Sequence, residues 1–178
     1  MRVVLVEGAS DRAAVEVLAR RLGAGPLEVV VLHGITNLRA RLRDQTTGPD
    51  GVRLLHDAAE SAHVERVLAD AGPSAGEVRR FVCDADLEDE LIRAVGVPAV
   101  LGIVEAQGER TAYDRMAQQP AQRDRTEHQR LRRWLGARSG HKLTYAALLA
   151  EAVPLDAVPA PLRDLLTDPD AGAAADPG

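Results

Sequence analysis

The sequence predicts an α/β protein, with a mostly parallel four-stranded sheet between helices and a helical carboxyl-terminal extension. Three observations predict it. Short apolar runs alternate with helical periodicities as far as about residue 108. Each run is nearly unbroken, as expected of strands covered on both faces. Beyond that point only helical periodicity remains. The expected division is therefore 1–108 as an α/β domain, 109–167 as a helical extension, and 168–178 as a small, polar tail expected to be disordered.

The first run, RVVLV, is β-branched and short, and EGAS leads from it into DRAAVEVLARRLG, where Ala14, Val17, Leu18 and Leu22 share one helical face. Ser10 is the expected N-cap, Asp11 complements the helix dipole, and Gly23 is a natural stop. EVVVLH reads as a second buried strand. After Gly34, Leu38 and Leu42 recur at four-residue spacing in NLRARLRDQ, a helix. VRLLHD is a third strand, HVERVLADAG a helix, VRRFVCDAD a fourth strand, and LEDELIRAVG a helix stopping at Gly96. PAVLGIVEAQG opens with Pro98 at the first helical position and ends at Gly108. Helices are expected over 111–119, 124–136, 142–152 and 160–167, broken at Pro120, at Ser139 and Gly140, and at Pro159 to Pro161.

A chain of 178 residues holds one main domain. Aromatic residues are 2% of it, so the core must be built from Ala, Val and Leu. The single cysteine, Cys83, excludes a disulfide framework, and no charged start precedes a long apolar run, so a cytoplasmic setting is expected. No apolar run approaches the ~20 residues that span a bilayer. A net charge of -5 argues against general adhesion to nucleic acid, but charge is not evenly spread. Between Arg123 and Lys142 there are seven Lys or Arg against two acids. In the helix expected there, Leu131, Trp134 and Leu135 are left to pack inward, while Arg130, Arg132, Arg133 and Arg138 are available to phosphates, or simply to solvent.

In open parallel sheets ligands bind at the carboxyl ends of the strands. Here those ends carry acids. Glu7 and then Asp11 follow the first strand, and Asp57 and Glu60 follow the third. Asp84, Asp86, Glu88 and Asp89 follow the fourth, while His33 follows the second. Carboxylates gathered together repel one another unless a cation neutralises them, and hard oxygen ligands select Mg²⁺, Mn²⁺ or Ca²⁺. Helix capping alone accounts for Asp11, Asp86 or Asp89 equally well. Glu7, directly after a buried strand and before a glycine, has no such explanation. Cys83 precedes an acidic loop that would raise its pKa, so it reads as a buried strand residue, and the five histidines lack zinc-ligand spacing.

The segment VVLVEGASDRAAVEVLARRLG resembles the opening motif of TOPRIM domains, specifically those of the OLD (overcoming lysogenization defect) family of nucleases. ADLEDELIRAVG resembles that family's later acidic motif, and HDAAE lies between them in the right order. The segments EAQGE, QQPAQRDR and RSGHK are similar to the carboxyl-terminal part of stand-alone relatives. The resemblance implies a TOPRIM-like Rossmannoid fold and metal-dependent phosphodiester hydrolysis, as by a DNA endonuclease using Mg²⁺ or Mn²⁺. It matches Glu7 to the glutamate of the first strand, Asp11 to its companion, Asp57 to the first aspartate of an Asp-x-Asp motif, and Glu88 to the later acid, with Asp86 beside it. The second aspartate position is Ala59, and the nearest substitute is Glu60. Two ions roughly 4 Å apart would activate water and stabilise the leaving oxygen.

The resemblance also places a functional lysine near Lys142, the sole lysine of the chain, which would stabilise charge beside Glu7 in catalysis. OLD nucleases join this domain to an ATPase. Neither GxxxxGK[ST] nor GxGxxG occurs here, so the resemblance implies a stand-alone form working with a separate ATPase. Two other functions fit the same residues. One is a non-catalytic module that binds nucleic acid or a partner ATPase, and the other is a small-molecule phosphohydrolase or nucleotide-binding domain.

Overall fold

The computed structural model describes residues 1–44, 51–72, 77–137 and 140–167. Four strands form one parallel sheet in the order β2-β1-β3-β4: β1 (Arg2–Val6), β2 (Leu27–Val31), β3 (Val52–Asp57) and β4 (Val78–Cys83). β1 pairs with β2 from Arg2 opposite Leu27 to Val6 opposite Val31, and with β3 from Val3 opposite Val52 to Leu5 opposite Leu54. β3 runs beside β4 as far as Asp57 opposite Cys83.

Alternate side chains feed two cores. On one face, Leu5, Val52 and Leu54 pack with Leu38 and Leu42 of α2 (Leu38–Asp44) and with Val64 and Val67 of α3 (Ser61–Ala71). On the other, Val4, Val6, Val29, Leu55, Phe81 and Cys83 pack beneath α1 (Ala9–Leu22) and the helices that follow β4. These are α4 (Leu87–Val95), α5 (Val97–Ala106), α6 (Arg110–Ala117), α7 (Glu127–Gly136), α8 (His141–Ala152) and α9 (Ala160–Leu166). The second core is continuous across residue 108, since it joins Leu18 and Leu91 to Trp134, Leu149 and Leu162. Helix α8 lies along α1, and α9 lies against α1, β3 and β4.

Arginines fasten this layer. Arg21 Nη1 donates to the carbonyls of Ala150, at 2.6 Å, and Val153, at 2.7 Å, where α8 ends. Arg53, 2% exposed within β3, donates to the carbonyls of Leu165 and Thr167, the latter at 3.1 Å, and Arg2 donates to Leu166 at 2.9 Å. The free carbonyls at the end of α9 thereby gain charged donors, and a buried guanidinium gains acceptors.

Several element boundaries differ from expectation. The N-cap of α1 is Gly8, not Ser10, because the Asp11 carboxylate reaches back to the Gly8 N–H at 2.7 Å and starts the helix two residues earlier. Gly23 closes α1 in the left-handed conformation at φ 66°. A 3₁₀ turn, Ile35–Asn37, precedes α2, and another, Ala58–Glu60, precedes α3. Pro98 is the second residue of α5, not the first. α7 begins at Glu127 instead of 124. Thr126 accepts from the Gln129 N–H at 3.2 Å while the Gln129 side chain accepts from the Thr126 N–H at 3.0 Å, a reciprocal cap that fixes the start. Pro161 lies in the first turn of α9. The tail expected over 168–178 lies outside the described residues.

Candidate metal centre and adjoining basic cleft

The chain leaves β1 towards β2 on one side and returns to β3 on the other. The strand order therefore reverses between β1 and β3. At such a reversal the connections diverge to opposite faces and leave a crevice at the carboxyl ends. Glu7 directly follows β1 and Asp57 ends β3, so these carboxylates flank the crevice from its two sides. A cavity of about 260 Å³ occupies it, lined by Glu7, Gly8, Ser10, Asp11, Asp57, Leu87, Glu88 and Lys142.

The charges in this cavity are poorly compensated. Burial pushes the Asp11 carboxyl up to about 6, reinforced by Glu88 and Glu7 and opposed by the Gly8 hydrogen bond and by Lys142. Burial also pushes Asp57 up to about 7, with Asp86, Asp11, Glu7 and Glu88 adding repulsion. Glu88, in the first turn of α4, is 4% exposed. Its Oε2 lies 3.3 Å from Lys142 Nζ, and its Oε1 is buried without a hydrogen-bond partner. Burial works against the Lys142 charge, but Glu88 first, then Asp86 and Asp11, hold its pKa above the usual lysine range.

Lys142 reaches the cavity because the start of α8 is held in place. Gly140, at φ 84°, turns the chain into the helix. Glu109 then accepts from the Tyr145 hydroxyl at 2.7 Å and lies 3.2 Å from His141 Nε2. The His141 ring packs against Trp134 and Tyr145, each at 5.4 Å between centroids. Sequence reasoning assigned Glu109, His141 and Tyr145 no part. The signal lay in EAQGE and RSGHK, two segments that look unrelated until the fold joins them.

Glu88 and Lys142 also line a second, larger cleft of about 700 Å³, together with Asp86, Asp124, Arg125, Gln129, Arg132, Arg133 and Gly136. The acidic cavity therefore shares Glu88 and Lys142 with a cleft that has arginines along its wall. Arg132 holds Asp86 at 2.6 Å, and Arg133 has no partner among the described residues. Arg130 is absent from this wall. It turns onto its own helix start, donating to the Gln122 carbonyl at 3.0 Å and to Glu127 at 3.0 Å. Arg138 lies outside the described residues. Arg125 and Gln129, not singled out from sequence, do line the cleft.

The remaining acids separate. Asp86 caps α4 by accepting from the Asp89 N–H at 2.8 Å while facing the cleft, so capping and cleft position coincide. Asp89 is held by His128 at 2.7 Å and by Arg93 at 3.2 Å. Glu60 stands at the N-cap position of α3 without a side-chain capping hydrogen bond, and neither it nor the exposed Ala59 is among the described residues lining the cavity. Cys83 is buried, and burial followed by Asp57 and Glu90 pushes its thiol up.

Among the described residues, no three His, Cys, Asp or Glu side chains converge tightly enough to hold a metal ion as they stand. The donor set nonetheless fits a hard cation. Four carboxylates share one cavity, two are raised by burial and then by their neighbours' repulsion, and the buried oxygen of Glu88 lacks a partner.

Sheet order, crevice and acid placement define a TOPRIM-like α/β fold with a helical carboxyl-terminal extension. That fold is the one seen in the carboxyl-terminal region of OLD proteins. The chain superposes on that region of the Burkholderia pseudomallei OLD protein with a TM-score of 0.63 and 22% identity, over 92% of this chain and 94% of the other. It superposes on the same region of the Xanthomonas campestris pv. campestris OLD protein with a TM-score of 0.61 and 23% identity, over 92% and 91%. No family model matches the sequence, and no curated protein matches it. No helix among the described residues is long and apolar enough to cross a membrane.

Proposed function

We propose that the chain is an OLD-type TOPRIM protein that hydrolyses phosphodiester bonds in DNA with the help of divalent metal. One observation carries this reading. Glu7, Asp11, Asp57, Glu88 and Lys142 line a single cavity at the switch point of the sheet, and Glu88 and Lys142 also line an arginine-walled cleft. Glu7, Asp11, Asp57 and Glu88 would hold Mg²⁺ or Mn²⁺, with Asp86 lining the adjoining cleft; a divalent ion bound there would supply charge stabilisation to a phosphodiester. Glu7 orients the reacting centre from the β1 side and Asp57 from the β3 side. The Lys142 ammonium, where cavity and cleft meet, stabilises negative charge developing on the phosphate. Arg132 and Arg133, with Arg125, hold flanking phosphates by charge and carry no sequence information.

The test is nicking of supercoiled plasmid in Mg²⁺ and in Mn²⁺ beside Glu7→Gln. Cleavage by the wild type and its loss in the variant is the expected result.

A second reading is favoured by Ala59, which stands where the family pattern has an aspartate, and by the carboxylates that do not converge unaided. Here the same surface binds nucleic acid, or a separate ATPase partner, without cutting. Salt-sensitive DNA binding with no cleavage in Mn²⁺ would select it. In both readings a cytoplasmic setting accords with a single buried, unpaired cysteine.

A further inference from the structure

Lys142 lies where the acidic cavity meets the basic cleft and lines both. Its partner, the Glu88 side chain, is 5% exposed, with Oε2 at 3.3 Å from the ammonium and Oε1 buried without a partner. A buried carboxylate that has one oxygen paired and the other orphaned is incompletely satisfied. Among the described residues lining the cavity, Lys142 is the one cation facing Glu7, Asp11, Asp57 and Glu88.

We propose that Lys142 is a tethered counter-ion occupying the place of a divalent metal. In the metal-free protein the ammonium neutralises Glu88. When a divalent ion takes Glu88, the ammonium is displaced towards the cleft, where a substrate phosphate meets it. This rests on the metal-dependent reading above and adds an order to it: the metal loads first, and only then is the lysine free for the phosphate.

The chemistry of the two cations supports the exchange. An ammonium brings one charge on a flexible stem and makes no demand on coordination geometry. A divalent ion brings two charges and draws carboxylate oxygens together from several residues, including the unsatisfied Glu88 Oε1. Lys142 is free to leave, since its side chain is 55% exposed.

The uniqueness of Lys142 makes the exchange directly observable. Protein labelled with ε-¹³C-lysine carries a single lysine Cε resonance, and a Mg²⁺ titration is followed both by that resonance and by calorimetry. The resonance should move towards the position of free lysine with the midpoint of the calorimetric binding curve. Lys142→Met should bind Mg²⁺ roughly tenfold more tightly, because a fixed positive charge beside a ligand oxygen has been removed. If Mg²⁺ binds while the resonance stays still, or if Lys142→Met binds no better than wild type, the counter-ion role is overturned and the metal site stands. If neither wild type nor Lys142→Met binds Mg²⁺, the metal-dependent reading fails and this inference fails with it. The labelled wild type needs no variant to fold.

Discussion

Lys142 Nζ lies 3.3 Å from Oε2 of Glu88, an ion pair between the second residue of α8 and the second residue of α4, 54 positions apart. It joins the helical extension to the α/β sheet at the point where acidic cavity and basic cleft meet. Four consequences can be measured.

The first concerns pH. Asp11 and Asp57 have folded-state pKa values of about 6 and about 7, both raised from 3.8. The folded state therefore binds these protons more tightly than the unfolded chain. The stability this contributes is complete below about pH 4 and is lost as pH rises through 6 and 7. Metal-free protein should melt at lower temperature at pH 8 than at pH 5, and Asp57→Asn should flatten this decline, gaining about 2–4 °C at pH 8. Mg²⁺ should restore more stability at pH 8 than at pH 5. Melting curves in chelator and in Mg²⁺ decide it; an Asp57→Asn profile parallel to wild type would contradict the placement of Asp57.

A second prediction separates neighbours after β3. Glu60 stands at the start of α3 and does not line the cavity, so Glu60→Gln should leave Mn²⁺ affinity within about twofold. Ala59 is exposed and also lies off the cavity lining, so Ala59→Asp should likewise leave Mn²⁺ affinity within about twofold. Calorimetry checks both, and abolition of binding by Glu60→Gln would mean that Glu60 turns into the site when metal arrives.

Arginines of α7 divide by environment. Arg132→Ala and Arg133→Ala should each lower the slope of log affinity for DNA against log salt by about 0.9, the signature of one lost phosphate contact. Arg130→Ala should leave the slope intact and instead lower stability by about 1–2 kcal/mol, since it loses the Gln122 carbonyl and Glu127. Binding isotherms at several salt concentrations, with melting curves alongside, distinguish the two classes.

Cys83 supplies a control on folding. Buried on β4 with its thiol pushed up by burial and then by Asp57, it should react with iodoacetamide only as the chain opens. Modification should therefore track unfolding in denaturant, and rapid labelling under native conditions would show that the sheet edge is open.

Much of the fold was legible in the sequence because strand and helix periods are local. β3 falls on the residues read as VRLLHD, and α4 on LEDELIRAV. Boundaries moved where a side chain outbid propensity, as when Asp11 capped Gly8 and displaced Ser10 from that role. The strand-end acids Glu7, Asp57 and Glu88 could be named in advance because a parallel sheet gathers its strand ends at one edge.

What the sequence could not decide was pairing at a distance. Arg130 and Arg132 are two positions apart on one helix, and only the packed structure turned the first onto its own cap and the second onto Asp86. Glu109 and His141 are 32 residues apart, and only the fold made one the anchor of the other and thus of Lys142. The physical reason is that periodicity reports which face of an element is apolar, whereas the partner of a charge is set by long-range packing and desolvation. Chemistry of single positions was therefore written in the chain, and the joining of the acidic cavity to the basic cleft through Glu88 and Lys142 was decided by tertiary structure alone.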